Sequence, residues 1–265
     1  MIKRLLCCAV FSAFASAAFA GEALPQKHLF APFIADPTQP SFGARYTGVV
    51  GSGNLAEVNM GDEFGIYAQD FNSGKLQFGI MGGVAARFDI SKVTNDFQVA
   101  DFSVAFPLDY KMDKLTLRAM YWHTSSHIGD DYIISHNLTP DQLSKHVTDD
   151  VRVYADYALC EHLRVYGGAS YSFNMIPHTT KFYRVHTGAE ASLVRGDKTY
   201  FAAGDFQSYQ RMGWQPSFTT RLGVKKSGKT SAVSAYAEFF SGHLPYLGLM
   251  TETETHWGGG FIFQM

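Results

Sequence analysis

From about residue 41 onward, apolar and polar positions alternate. In 76–88, Leu76, Phe78, Ile80, Val84 and Phe88 interleave with Gln77, Gly79, Gly83 and Arg87. In 151–159, Val151, Val153, Ala155, Tyr157 and Leu159 oppose Arg152, Tyr154 and Asp156. In 163–174, Leu163, Val165, Ala169, Tyr171 and Phe173 oppose Arg164, Ser170 and Asn174. In 231–240, Val233, Ala235, Ala237 and Phe239 oppose Ser234 and Glu238. Period two with one apolar face is the signature of a strand. The pattern predicts strands at about 41–50, 59–69, 75–88, 96–107, 114–126, 150–159, 163–174, 181–194, 198–209, 214–226, 230–241 and 254–264. That is about twelve, each about ten residues long, the length a tilted strand needs to cross a bilayer.

The connections sort by length. Asp70–Gly74, Leu108–Asp113, Cys160–His162, Arg195–Asp197 and Ser227–Lys229 read as tight turns. The longest connections, about 127–149 and 242–253, fall at the other end. Short inner turns and long outer loops belong to an up-and-down transmembrane β-barrel. Both ends of the barrel then lie in the periplasm.

Residues 21–40 carry Pro25, Pro32, Pro37 and Pro40, which disfavours regular pairing and predicts an extended periplasmic segment. Residues 1–20 read as a signal peptide. Lys3 and Arg4 form the basic region, Leu5 to Ala15 the apolar core, and Ala18-Phe19-Ala20 the small-x-small cleavage site. Beyond the leader no apolar run is long enough for a transmembrane helix. A closed barrel is the other fold that satisfies every backbone group in lipid. The expectation is therefore an all-β chain with one antiparallel barrel over 41–265, exported to the bacterial outer membrane. Its partners would be outer-membrane lipid and the barrel assembly machinery. A secreted β-sandwich also alternates, but its polar face would be solvated, whereas here that face holds glycine and balanced charge.

The chain has 22 basic and 24 acidic residues, and the leader removes two of the basic ones, which gives no argument for nucleic acid. Only Cys160 survives export, so no intramolecular disulfide forms. On the strand parity above, the lumen receives Arg45, Glu63, Arg87, Asp101, Arg118, Arg152, Asp156, Arg164, Arg184, Glu190, Asp205, Arg221 and Glu238. Buried charges of both signs predict an ion-pair network filling a narrow barrel. The alternative is a selective polar channel. Tyr46, Tyr121, Tyr171, Phe173, Phe218 and Trp257 fall on the outward parity and predict an aromatic girdle.

One stretch carries chemistry: Tyr121-Trp122-His123-Thr124-Ser125-Ser126-His127-Ile128-Gly129-Asp130-Asp131. His123 and Ser125 share a strand face, about 6.5–7 Å apart at Cα, within reach of a base-activated serine. That face continues Leu115, Leu117, Ala119 and Tyr121, the lipid side. Ser126 has the opposite parity. A third member is open among Asn137, Asp149 and Asp150. Asp130 and Asp131 are candidate oxygen ligands for Ca²⁺. His123 and His127 lie about 13 Å apart along a strand and cannot share an ion there.

The His-x-Ser pair resembles that of the outer-membrane phospholipase A family and, more distantly, the lipid A deacylases. The resemblance implies His123 as general base and Ser125 as nucleophile, with Ca²⁺ as a possible cofactor. It departs at Ser126, where those families have Asn, and at His127, where the phospholipase has Gly. The terminal Trp257, Phe261, Phe263 and Met265 share one parity and resemble the strand by which outer-membrane barrels are recognised for insertion, with Met265 in place of an aromatic residue. Over most of its length the chain resembles an uncharacterised bacterial envelope family known as a domain of unknown function. That likeness rests on Phe30-x-Pro32-x-Ile34-Ala35-Asp36-Pro37, His123-x-Ser125-Ser126-His127-x-Gly129-Asp130 and Arg164-Val165-Tyr166-Gly167-Gly168. It implies a barrel and, by itself, no activity. The leading expectation is a non-catalytic envelope or transport barrel, and the alternative is a Ser-His lipid-ester hydrolase.

Overall fold

The computed structural model describes residues 21–139 and 146–264. The expected signal peptide and Met265 lie outside the described residues. The strands are β1 (Glu22–Ala23), β2 (Phe42–Val49), β3 (Asn54–Phe71), β4 (Gly74–Asp89), β5 (Asp96–Met112), β6 (Leu115–Ile128), β7 (His146–Cys160), β8 (Leu163–Ile176), β9 (Tyr183–Arg195), β10 (Lys198–Tyr209), β11 (Pro216–Ser227), β12 (Ala232–His243) and β13 (Thr253–Gln264). β1 only flanks β3. β2 to β13 form a single closed antiparallel barrel of 12 strands. Each strand pairs with its neighbours in sequence, and β13 closes on β2 through pairs such as Trp257 with Gly48 and Phe263 with Phe42. Closure leaves no open barrel edge, as lipid requires.

The boundaries differ from the expectation in instructive places. β3 begins at Asn54 and β7 at His146, each several residues early. The turn expected at Leu108–Asp113 shrinks to Asp113-Lys114, because β5 runs through Pro107 to Met112. The alternation carries it: Phe106 and Leu108 stay outside while Asp109 turns inward to Arg118. Asp113 takes a left-handed φ of 48°, which aspartate tolerates in tight turns. Gly196 does the same at φ 63° in the two-residue β9–β10 turn.

The parity holds around the ring except where a bulge shifts it, as at Asn174. Tyr46, Tyr171, Phe173, Phe218 and Trp257 are exposed on the outer surface. The lumen holds every charged residue expected there, and adds Glu57, Asp109, Glu254 and His256. Arg118 is clasped by Asp109 at 2.6 Å and Glu63 at 2.5 Å. Arg221 meets Glu238 at 2.6 Å, and Glu238 also faces Arg45 at 3.5 Å. Arg45 also pairs with Glu57, and Arg87 with Glu254.

The proline-rich segment corrects one expectation. It is not wholly an extended lead-in outside the barrel. Its middle enters the lumen, where Phe30, Phe33, Ala35 and Asp36 are buried. Phe30 packs under the Arg118 guanidinium, and Phe33 sits among Tyr154, Tyr166 and His186. Met81, Ala105, Met120 and Trp122 complete this apolar core. Barrel side chains hold the segment's backbone. Gln77 accepts from Leu29 N and donates to Lys27 O, both at 2.8 Å. Arg164 donates to Pro32 O at 2.5 Å, Arg221 to Ile34 O at 2.6 Å, and Glu190 accepts from Ile34 N at 2.7 Å. At the loop end, residues 244–252 fold inward, burying Leu244, Tyr246, Leu247, Leu249 and Met250.

Among the described residues, ion pairs, the inserted segment and the inward-folded loop 244–252 occupy the lumen. Purified protein in planar bilayers is expected to show little or no ion conductance. Large, stable single-channel steps would favour a transport channel over a filled lumen.

Candidate functional site

β6 and β7 place the candidate residues. In their antiparallel register His123 lies opposite Asp149, and Ser125 opposite Val147. His123, Ser125 and Asp149 therefore share the outer face with Tyr121, Val151 and Val153, while Ser126 and Asp150 turn inward. His123 Nδ1 lies 2.7 Å from Asp149 Oδ1. Two more donors fix the carboxylate: Tyr121 Oη at 2.6 Å and Asn174 Nδ2 at 2.6 Å. A carboxylate that accepts from Nδ1–H sets the histidine tautomer and leaves Nε2 as the proton acceptor. Ser125 Oγ is partly exposed and makes no hydrogen bond among the described residues.

Of the three open candidates for the orienting group, the structure brings only Asp149 to His123. Asp150 lies inside the barrel, 2.8 Å from Arg152. Asn137 lies in the loop after a short helix, α1 (Asp130–Ser135). Below the cluster runs an aromatic belt: Phe106 stacks on Tyr121, and Tyr121 lies 6.2 Å from Phe173. Amphipathic rings of this kind mark the boundary between apolar and polar surroundings. The cluster is thus a polar island at the loop-side rim of an apolar belt.

The other residues of the stretch separate. His127 lies on the outer face, edge-on to Phe102. His136 stacks on Tyr132 beyond α1. Ser126 hydrogen-bonds Asp101 and accepts from Gly248 N at 3.0 Å, anchoring the inward loop. Asp130 and Asp131 begin α1, where acidic residues favour the helix N-terminus. Asp131 also accepts from Phe97 N at 3.1 Å. Calcium takes six to eight oxygen ligands. Asp130 and Asp131 do not supply such a shell, and no group of three or more His, Cys, Asp or Glu is gathered for a metal among the described residues.

Sequence reasoning missed Tyr121 and Asn174 as partners of the aspartate. Tyr121 carried a signal, since it shares the parity of His123 two residues on. Asn174 was expected on the polar parity opposite Phe173, and the β-bulge at Asp149/Asp150 in the β7–β8 register brings it instead to the outer face beside Asp149.

A family model described as protein of unknown function (DUF1207) matches residues 3–261. No curated protein matches the sequence. Among solved structures, outer membrane phospholipase A from Escherichia coli is similar, with 14% identity, 84% of this chain and 92% of that chain covered, and a TM-score of 0.54. The Salmonella typhi outer membrane phospholipase dimer with bound calcium is similar at 13% identity, 89% and 94% coverage, and a TM-score of 0.53. The KdgM porin follows with 11% identity, 85% and 98% coverage, and a TM-score of 0.45. At these identities the likeness to the phospholipases is one of fold.

Proposed function

The chain belongs to the DUF1207 family of proteins of unknown function, and from its own geometry we propose that it is a non-conducting outer-membrane barrel that hydrolyses lipid esters through Ser125, His123 and Asp149. The observation that carries this reading is the His123–Asp149 pair at 2.7 Å, on the outer face and two residues from a serine of the same parity. A carboxylate, an imidazole and a hydroxyl on the lipid side of a barrel are costly there unless they serve one another. The similarly folded proteins named as phospholipases support a lipid substrate. The outer membrane supplies that lipid, and insertion would follow the barrel assembly route.

In this reading Ser125 Oγ attacks the ester carbonyl while its proton passes to His123 Nε2. Asp149 stabilises the imidazolium and holds its ring. Collapse of the tetrahedral adduct breaks the ester C–O bond, and the alcohol leaves with the proton from His123. Water then attacks the acyl-serine, giving its proton to His123. The fatty acid departs and Ser125 takes the proton back. The missing hydrogen bond to Ser125 is no obstacle, since catalytic contacts are often long before substrate binds.

A second reading is a non-catalytic envelope role. It is favoured by that same free Ser125 hydroxyl and by the ordinary occurrence of His, Thr and Ser at strand ends. Purified protein assayed on glycerophospholipid and lipid A, with and without Ca²⁺, separates the two. Free fatty acid release is expected. A folded, inactive protein on both substrates would leave the envelope role.

A further inference from the structure

The lumen treats its arginines unequally. Arg45, Arg87, Arg118, Arg152, Arg164 and Arg221 each face a carboxylate partner. Arg184 and Arg211 form no ion pair among the described residues, and both line one cavity at the loop end. Arg184 is buried. Its Nη2 lies 2.8 Å from His186 Nδ1 and its Nε has no partner. His186 in turn meets Asp205 through Nε2 at 2.5 Å, and Asp205 and Asp36 act on Arg184 from beyond ion-pair distance.

Arg211 is worse served. Its Nε points at Met250 Sδ, 2.9 Å away, and its Nη1 at Met175 Sδ, 3.5 Å away. Thioether sulfur is a weak acceptor. Arg211 sits in the turn Gln210–Met212, outside the strands, and burial pushes its guanidinium below its ordinary value. Both guanidinium groups also stand near the Tyr209 ring, at 5.4 and 5.8 Å. The carboxylates of this cavity are engaged elsewhere. Asp150 pairs with Arg152 and accepts from Ser172, and Asp101 holds Ser126 and Leu247 N. Lys181, exposed, adds a third cation at the rim.

We propose that this cavity binds a phosphate group, clamped between Arg184 and Arg211 with Lys181 at the rim. Arg184 is buried and Arg211 half-buried, and Asp36, Asp205, Asp101 and Asp150 act on them without ion-pair contact, so two cations near one ring gain from an anion that joins them directly. The guanidinium fork matches phosphate oxygens, and two forks with an ammonium suit a group of charge near −2 better than a carboxylate of −1. The cavity holds about 70 Å³ of water-accessible space. One water needs about 10–15 Å³ of such space, so a phosphate-sized anion has room. The site lies inside the barrel, and its occupancy does not depend on Ser125 chemistry. The phosphate is either free or carried on a lipid headgroup reaching the barrel mouth.

Calorimetric titration of the full chain in phosphate-free detergent tests this, with inorganic phosphate as probe. One saturable site is expected. Arg184→Gln and Arg211→Gln should each weaken binding by about tenfold to a hundredfold, the cost of losing a charge-assisted contact. Arg195→Gln, at an exposed turn, should change nothing. Heat-modifiable migration on gels checks that each variant is folded. Should Arg184→Gln not fold, Arg211→Gln carries the test, since Arg211 has no strong partner to lose. A parallel titration with short-chain phosphatidic acid identifies the source. Arginine-dependent binding of that lipid without binding of inorganic phosphate assigns the site to a headgroup. If neither probe saturates a site, or binding survives both substitutions, the proposal is overturned.

Discussion

Ser125→Ala is expected to lower lipid-ester hydrolysis by about 10⁴-fold or more, because a nucleophile and its base act as one unit. His123→Ala should lose a similar amount. Asp149→Ala should lose less but still about 10³-fold or more, since the imidazole would keep its place in the strand but lose its tautomer and its counter-charge. Asp149 also carries Tyr121 and Asn174. Tyr121→Phe and Asn174→Ala should therefore reduce turnover with little change in apparent substrate affinity. Ser126→Ala is the control that separates the two serines. It faces the lumen and bonds Asp101, so its loss should cost about 1–3 kcal/mol of stability and leave hydrolysis nearly intact. Activity that persists in Ser125→Ala would remove the triad.

The barrel was legible because its signal is local. Period two assigns each residue to a face from its neighbours alone, so Arg118 could be placed in the lumen and Trp257 outside before any pairing was known. The His123–Ser125 relation was legible for the same reason. Asp149 was legible only as one of three candidates with Asn137 and Asp150, because its partnership depends on register across a long connection. With β7 taken to start at residue 150, Asp149 belonged to the loop. With β7 starting at His146, it lies directly opposite His123. Arg211 escaped notice for a similar reason, since it lies in a turn without periodicity.

The inserted segment was illegible as structure but not as composition. Four prolines hid any repeat, yet Phe30, Phe33, Ile34 and Ala35 are an odd set for a solvated tether. Phe30 through Pro37 is also one of the stretches that carried the family resemblance. In the folded chain Asp36 accepts from Gln207 at 2.9 Å, and Pro37 lines the phosphate cavity. One short motif therefore packs in the lumen and lines the cavity beside it.

Deleting residues 24–40 is expected to turn a silent barrel into a conducting one. The ladder should survive, because β2 begins at Phe42 and its partners are β3 and β13. What is lost is the apolar core around Phe30 and Phe33, together with the backbone groups that Gln77, Arg164, Glu190 and Arg221 hold. Those side chains would then hydrate, since an unpartnered buried polar group costs about 1–3 kcal/mol, and water would enter along them. The milder variants Phe30→Ala and Phe33→Ala should each destabilise the protein by about 3–5 kcal/mol. The rings lie 5.3 Å apart, so the double variant should cost less than the two losses added. Conductance through the folded deletion variant, with none through the wild type, would assign occlusion to the segment. A folded deletion variant that stays silent would mean that the ion pairs around Arg118, Glu238 and Arg45 and the inward loop 244–252 close the lumen without the segment.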